Sequence, residues 1–132
     1  MKHRLTRTAA GACLLALALM LLTGCGQTSV FDGSRASDKH SFQMEYTVLN
    51  REESAELELS AGDQLLVSLA HTGGSVDVTV SQAGKEPVYR GKGQVSAEFS
   101  IEIPEDGVWR VSVTGHQAKG RVSFTRKPKA AE

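Results

Sequence analysis

From Ser41 onward the chain alternates between apolar and polar residues with a period of two. The clearest case is Val95–Ile103, where Val95, Ala97, Phe99, Ile101 and Ile103 fall on one side and Ser96, Glu98, Ser100 and Glu102 on the other. Successive side chains of a strand point to opposite faces, so this spacing predicts a half-buried β-strand. The same alternation sets Val76, Val78 and Val80 inward, then Trp109, Val111 and Val113, then Val122 and Phe124. Phe42, Met44, Tyr46 and Val48 form another such set, and Leu57 and Leu59 a shorter one. Around Leu65, Leu66, Val67 and Leu69 both faces are apolar, which predicts a central strand.

Turn signals separate these segments: SAGDQ, HTGGS, QAGKEP, PEDG and TGHQAKG. Glycine supplies positive φ, Pro104 pre-sets φ, and Asp106-Gly107 is a hairpin cue. No window after residue 40 keeps apolar residues at helical spacing. The prediction is an all-β fold, a small antiparallel β-sandwich of jelly-roll or Greek-key type with about seven to eight strands, over residues 41–127. Residues 128–132 read as a disordered tail.

The N-terminus has a different character. Lys2, Arg4 and Arg7 precede an uncharged, largely apolar run from Ala9 to Leu22. As a helix that run would reach roughly 21 Å, short of the ~30 Å hydrocarbon core of a bilayer. A basic stretch followed by a short apolar one is the order of a secretory signal. It ends in Leu22-Thr23-Gly24-Cys25, which resembles the lipobox of bacterial lipoproteins. That resemblance implies a signal peptide over residues 1–24, lipid (palmitate among the acyl groups) on Cys25, and an extracytoplasmic domain held at a bacterial membrane. Two or three acyl chains at about 0.8 kcal/mol per buried CH₂ would make the anchoring durable.

Residues 25–40 are polar and rich in Ser, Gly and Asp, with Val30 and Phe31 as the sizeable apolar groups. This composition predicts a flexible, lipidated tether. Removing the signal leaves 12 basic against 15 acidic side chains, and a balance so close to neutral argues against a nucleic-acid partner. With Cys13 discarded and Cys25 acylated, no thiol would remain for a disulfide, a metal or nucleophilic catalysis.

Within the β region, LELSAGDQLLVSLAHTGGSVDVTVSQAG and FSIEIPEDGVWRVSVTGHQAKGRVSF resemble the bacterial pre-peptidase C-terminal domain and related collagen-binding modules. The matching positions are Ala61-Gly62, Val76-Asp77-Val78, and Gly107-Val108-Trp109 through Gly115. The resemblance implies a jelly roll without catalytic residues that assists secreted proteases or binds polymers, and an Asp77 that ties down the adjoining loop. These 132 residues hold the module without a protease domain beside it. The acidic residues Asp32, Asp38, Glu45, Glu52 and Glu53 are scattered, so no calcium or other metal and no cofactor is expected.

Candidate chemistry is sparse. His40, His71 and His116 lack the close spacing of a zinc pair and read as exposed turn residues. No G-x-S-x-G elbow and no phosphate-binding loop occurs. Trp109 reads as core. One segment breaks the alternation, GKEPVYRGKG, where Lys85, Tyr89, Arg90 and Lys92 would form a basic, partly aromatic contact surface for anionic headgroups, envelope polymers or an acidic partner. The plainer reading of Lys85, Arg90 and Lys92 is that these charges protect a sheet edge from aggregation. Together these features predict a non-catalytic binding module for an envelope component or polymer. The alternative is an accessory or inhibitor-like module docking to another exported protein or enzyme.

Overall fold

The computed structural model describes residues 28–130. The predicted signal peptide, Cys25 and the last two residues of the predicted tail lie outside them. Seven strands account for the domain: β1 (Phe31–Ser37), β2 (Ser41–Leu49), β3 (Glu52–Leu59), β4 (Gln64–Gln82), β5 (Tyr89–Gln94), β6 (Ala97–Glu102) and β7 (Gly107–Lys127). The predicted all-β class holds, and all strand pairings are antiparallel.

Two long strands organise the fold. The first part of β4 pairs with β6 on one side and with the second part of β7 on the other. The second part of β4 pairs with β5 and with the first part of β7, which in turn carries β3. One layer therefore runs β1-β2-β7-β4-β6 and the other β3-β7-β4-β5, sharing both long strands. Inward residues of the two layers make one buried cluster, including Phe42, Leu69, Phe124, Val78, Val113 and Trp109.

HTGGS and TGHQAKG are not the turns their composition suggested. Both lie inside continuous strands, where β4 and β7 bend from one layer to the other. The burial pattern shows how. In β4 the buried positions are odd-numbered up to His71 and even-numbered from Val76; in β7 they are odd up to Gly115 and even from Ala118. His71 faces Gly120 and Val76 faces Gly115, so each strand spends the same number of residues in the bend. Because side chains alternate with period two, an odd offset swaps the inward face on both strands at once and leaves their register intact. Gly74, at φ 65°, and Gln117, at φ 50°, carry the strained backbone there. A Cβ on Gly74 would collide with the carbonyls of Gln117 and His116.

A bulge in β2 corrects a second expectation. Between Tyr46 and Leu49 the register with β7 slips by one residue, so Leu49 is fully buried while Val48 faces solvent. Val95 likewise lies outside the strand it was expected to begin and is exposed, whereas Ile101 and Ile103 are core.

The flexible tether predicted over residues 25–40 is replaced over much of its length by β1, which pairs with β2 along seven positions. Polar composition misled here because an edge strand needs little apolar surface when its backbone is paired. Phe31 packs edge-on against Tyr46, with centroids 6.3 Å apart. Arg35 lies 4.8 Å from the centroid of the Phe42 ring and reaches across to Glu53 at 2.6 Å and the Ser54 carbonyl at 2.9 Å. The β1 edge is thus clipped to β3 of the other layer.

Part of the predicted disordered tail is tied to the domain through Lys129. Asp63, in the turn before β4, is 1% exposed and accepts hydrogen bonds from Arg126 Nε at 2.6 Å, Ser60 N–H at 2.8 Å and Lys129 N–H at 3.1 Å. Burial alone would raise this carboxyl, but Arg126 and the two amides outweigh it and hold Asp63 below the usual carboxylate range. Among the described residues no helix is long and apolar enough to cross a membrane.

Candidate functional site

The bend builds a cleft. Gly33 of β1, Tyr46 of β2, Gly120 of β7 and His71 of β4 lie opposite one another in successive pairings. Gly120, at φ 152°, has no side chain, and a Cβ there would strike the Ala70 carbonyl. Its neighbours lean over the vacant position instead: Tyr46 and His71 stack with centroids 5.7 Å apart, and Tyr46 Oη lies 2.6 Å from His71 Nε2. An aromatic ring covering a strand glycine restores the packing that glycine loses.

The partners define the imidazole tautomer. His71 Nδ1 lies 2.7 Å from the Val95 carbonyl, which can only accept, so Nδ1–H donates. Nε2 then accepts the phenol O–H of Tyr46. Both ring nitrogens are spent. Burial pushes the Tyr46 phenol well above its ordinary range, which suits a proton donor rather than a nucleophile. His71 is therefore a core residue at 7% exposure, not the exposed turn residue its neighbours in sequence suggested.

Above this pair lies an open cleft of about 700 Å³. Gly33, Ala70 and Gly120 leave its floor low, and Ser34, Thr72 and Ser96 contribute hydroxyls. Lys119 and Arg121 line it from β7, and Glu45 from β2. Glu45 stands opposite Arg121 in register, yet the two do not form an ion pair, and Lys119 also forms none among the described residues. No local motif announces this arrangement, since its residues come from β1, β2, β4 and β7 and the β5–β6 connection.

The contact surface predicted from sequence is divided. Lys85 pairs with Glu105 at 2.6 Å. Tyr89 is half-buried and packs on Phe99, with centroids 4.9 Å apart. Arg90 and Lys92 are exposed on the same side of edge strand β5. The remaining polar groups are structural. Asp77 Oδ1 accepts the Gly93 N–H at 2.8 Å and Oδ2 lies 2.8 Å from His116 Nε2. Opposite Asp77 the pairing of β4 with β5 skips a residue, so this carboxylate holds the bulged end of β5, not the Thr72–Gly74 segment. Burial opposes its ionisation, but His116 and the Gly93 amide together keep its carboxyl below the usual range. Among the described residues there is no group of three or more His, Cys, Asp or Glu that could hold a metal ion.

No protein-family model matches the sequence, and no curated protein matches it. Among solved structures, the chain is similar to a periplasmic lysozyme inhibitor of g-type lysozyme, PliG, from Aeromonas hydrophila. The TM-score is 0.44 and the identity 15%, over 76% of this chain and 98% of that one. It is also similar to a family two carbohydrate esterase from Cellvibrio japonicus, with a TM-score of 0.33 and 18% identity. That alignment covers 79% of this chain but 37% of the esterase. Inhibition and esterase chemistry are properties of those two proteins.

Proposed function

We propose that this chain is a non-catalytic, lipid-anchored extracytoplasmic module that binds an envelope component through the cleft at the bend. The anchoring rests on the basic N-terminus, the short apolar run and the Leu22–Cys25 lipobox, which together favour acylation of Cys25. The binding role rests on one observation: the histidine beneath the cleft has both ring nitrogens occupied, while the groups lining the opening are hydroxyls, cations and a single carboxylate. Such a set grips a ligand by hydrogen bonds and charge. With both ring nitrogens engaged, His71 is not free to activate a nucleophile there.

The test is retention. The full-length protein, purified in neutral detergent and immobilised, should capture material from a solubilised envelope extract, and Lys119→Ala with Arg121→Ala should reduce that capture. Stoichiometric recovery of one exported enzyme would move the function to the docking alternative. Capture unaffected by the double substitution would remove the cleft from the account.

A further inference from the structure

The cleft has a chemical asymmetry that narrows its ligand. Lys119 and Arg121 flank Gly120 on β7, both exposed and both without an ion-pair partner among the described residues. Arg35 and Arg51, by contrast, are already committed and share Glu53, at 2.6 and 2.7 Å. Glu45 alone supplies negative charge to the lining.

Around the two cations the lining carries the hydroxyls of Ser34, Thr47, Thr72 and Ser96. Ser34 and Thr72 make no side-chain hydrogen bond among the described residues, and Ser96 accepts only a long one, 3.4 Å, from the His71 N–H. A hydroxyl that accepts still has its own proton to donate. Thr47, by contrast, is already engaged with Asp32. The cleft thus offers two cationic donors, several free hydroxyls and one carboxylate acceptor over a low floor of glycine and alanine. A bare polyanion would meet Glu45 unfavourably. A neutral saccharide would leave the two cations without use. A sugar that carries one anionic group satisfies both: its carboxylate takes Lys119 and Arg121, and its hydroxyls complement Ser34, Thr72, Ser96 and Glu45. The size also fits, since small-molecule sites commonly span about 300–1,000 Å³.

We infer that the cleft binds an acidic saccharide, a glycan unit bearing a carboxylate, with Lys119 and Arg121 as its anion clamp and Glu45 as an acceptor of sugar hydroxyls. This rests on the binding function proposed above and specifies its ligand. The experiment is isothermal titration of the full-length protein in neutral detergent with three probes: an oligouronate, a neutral oligosaccharide of equal length, and inorganic phosphate. The oligouronate should bind, with the neutral sugar and phosphate each about tenfold weaker or more. Lys119→Ala and Arg121→Ala should each lower oligouronate affinity about five- to tenfold. Glu45→Gln should weaken oligouronate binding through lost acceptance and narrow the preference over phosphate through lost repulsion, and unchanged or tighter oligouronate binding would count against Glu45 as an acceptor of sugar hydroxyls. Circular dichroism confirms folding of each variant.

Equal binding of the neutral and acidic oligosaccharides, unaffected by the cation substitutions, would overturn the anion clamp and leave the binding function intact. Phosphate binding as tight as the oligouronate would overturn the sugar. Failure of all three probes, with envelope capture still dependent on Lys119 and Arg121, would overturn the saccharide alone; failure of both would end the binding account as well.

Discussion

Replacing Asp63 with alanine should be among the most damaging single changes outside the apolar core. The carboxylate is 1% exposed and receives Arg126 Nε at 2.6 Å together with the Ser60 and Lys129 amides. Through it, the turn before β4, the end of β7 and the C-terminal segment meet at one point. Removing one partner of a fully buried ion pair costs about 3–5 kcal/mol. Arg126 keeps a quarter of its side-chain surface in water, so its stranded charge remains partly hydrated and the cost falls. Two amides losing their acceptor add about 1 kcal/mol each. The sum we expect is about 2–4 kcal/mol, which at an m-value near 1.5 kcal/mol/M shifts the urea midpoint down by about 1.3–2.7 M. Urea unfolding followed by fluorescence of the single tryptophan, Trp109, measures this directly.

The pH dependence carries the same signature. Asp63 has its carboxyl lowered in the folded state, so its stabilisation is fully present above the unfolded carboxylate range, near pH 4, and is lost as pH falls through the folded value. The stability gap between parent and Asp63→Ala should be constant from pH 5 to 7 and shrink below about pH 4. Asp38 and Asp77, lowered as well, act in the same direction in both proteins and cancel in the difference. A midpoint within about 0.3 M of the parent at pH 7, or a gap that widens in acid, would refute the cage as described.

Three further outcomes follow from the same structure. Trp109→Ala removes a side chain 2% exposed whose Nε1–H donates to the Glu105 carbonyl at 3.1 Å; a loss of about 3–5 kcal/mol should give insoluble or unfolded protein, and near-parent thermal unfolding would place Trp109 outside the core. Gly74→Ala should cost well over 1 kcal/mol in thermal unfolding because its Cβ meets the Gln117 and His116 carbonyls, whereas Gly84→Ala, also at positive φ but in open space, should cost about 1 kcal/mol; equal effects would deny the tight approach of β4 and β7. Cys25→Ala should shift the protein out of the membrane fraction or stall it as precursor, and unchanged partition with unchanged size would exclude acylation.

The strands were legible wherever one frame of alternation held. Val76–Val80, Trp109–Val113 and Val122–Phe124 are buried on the faces their spacing assigned. What the pattern concealed were the places where the frame slips. Glycine-rich HTGGS and TGHQAKG look like turns because local composition reports backbone freedom, and a bulge draws on the same freedom as a turn. Only the pairing of β4 with β7 shows that both slips compensate. The same holds for Val48 and Leu49, whose exchange depends on a bulge opposite Ala118. The cleft was illegible for a related reason. Tyr46, His71 and Gly120 have ordinary neighbours, and their meaning comes from lying side by side across three strands. The basic segment Lys85–Lys92 drew notice as a linear cluster, yet alternation on β5 sends Tyr89 and Arg90 to opposite sides.

The central claim is that the cleft at the bend is the face that meets a ligand. Hydrogen exchange of the full-length protein in neutral detergent, with and without solubilised envelope glycan, tests it most directly by locating contact along the chain. We predict added protection in segments around Ala70–Thr72, Ser96 and Lys119–Arg121, with little change along β5. Protection centred on Tyr89–Gln94, with the cleft segments unchanged, would contradict the account.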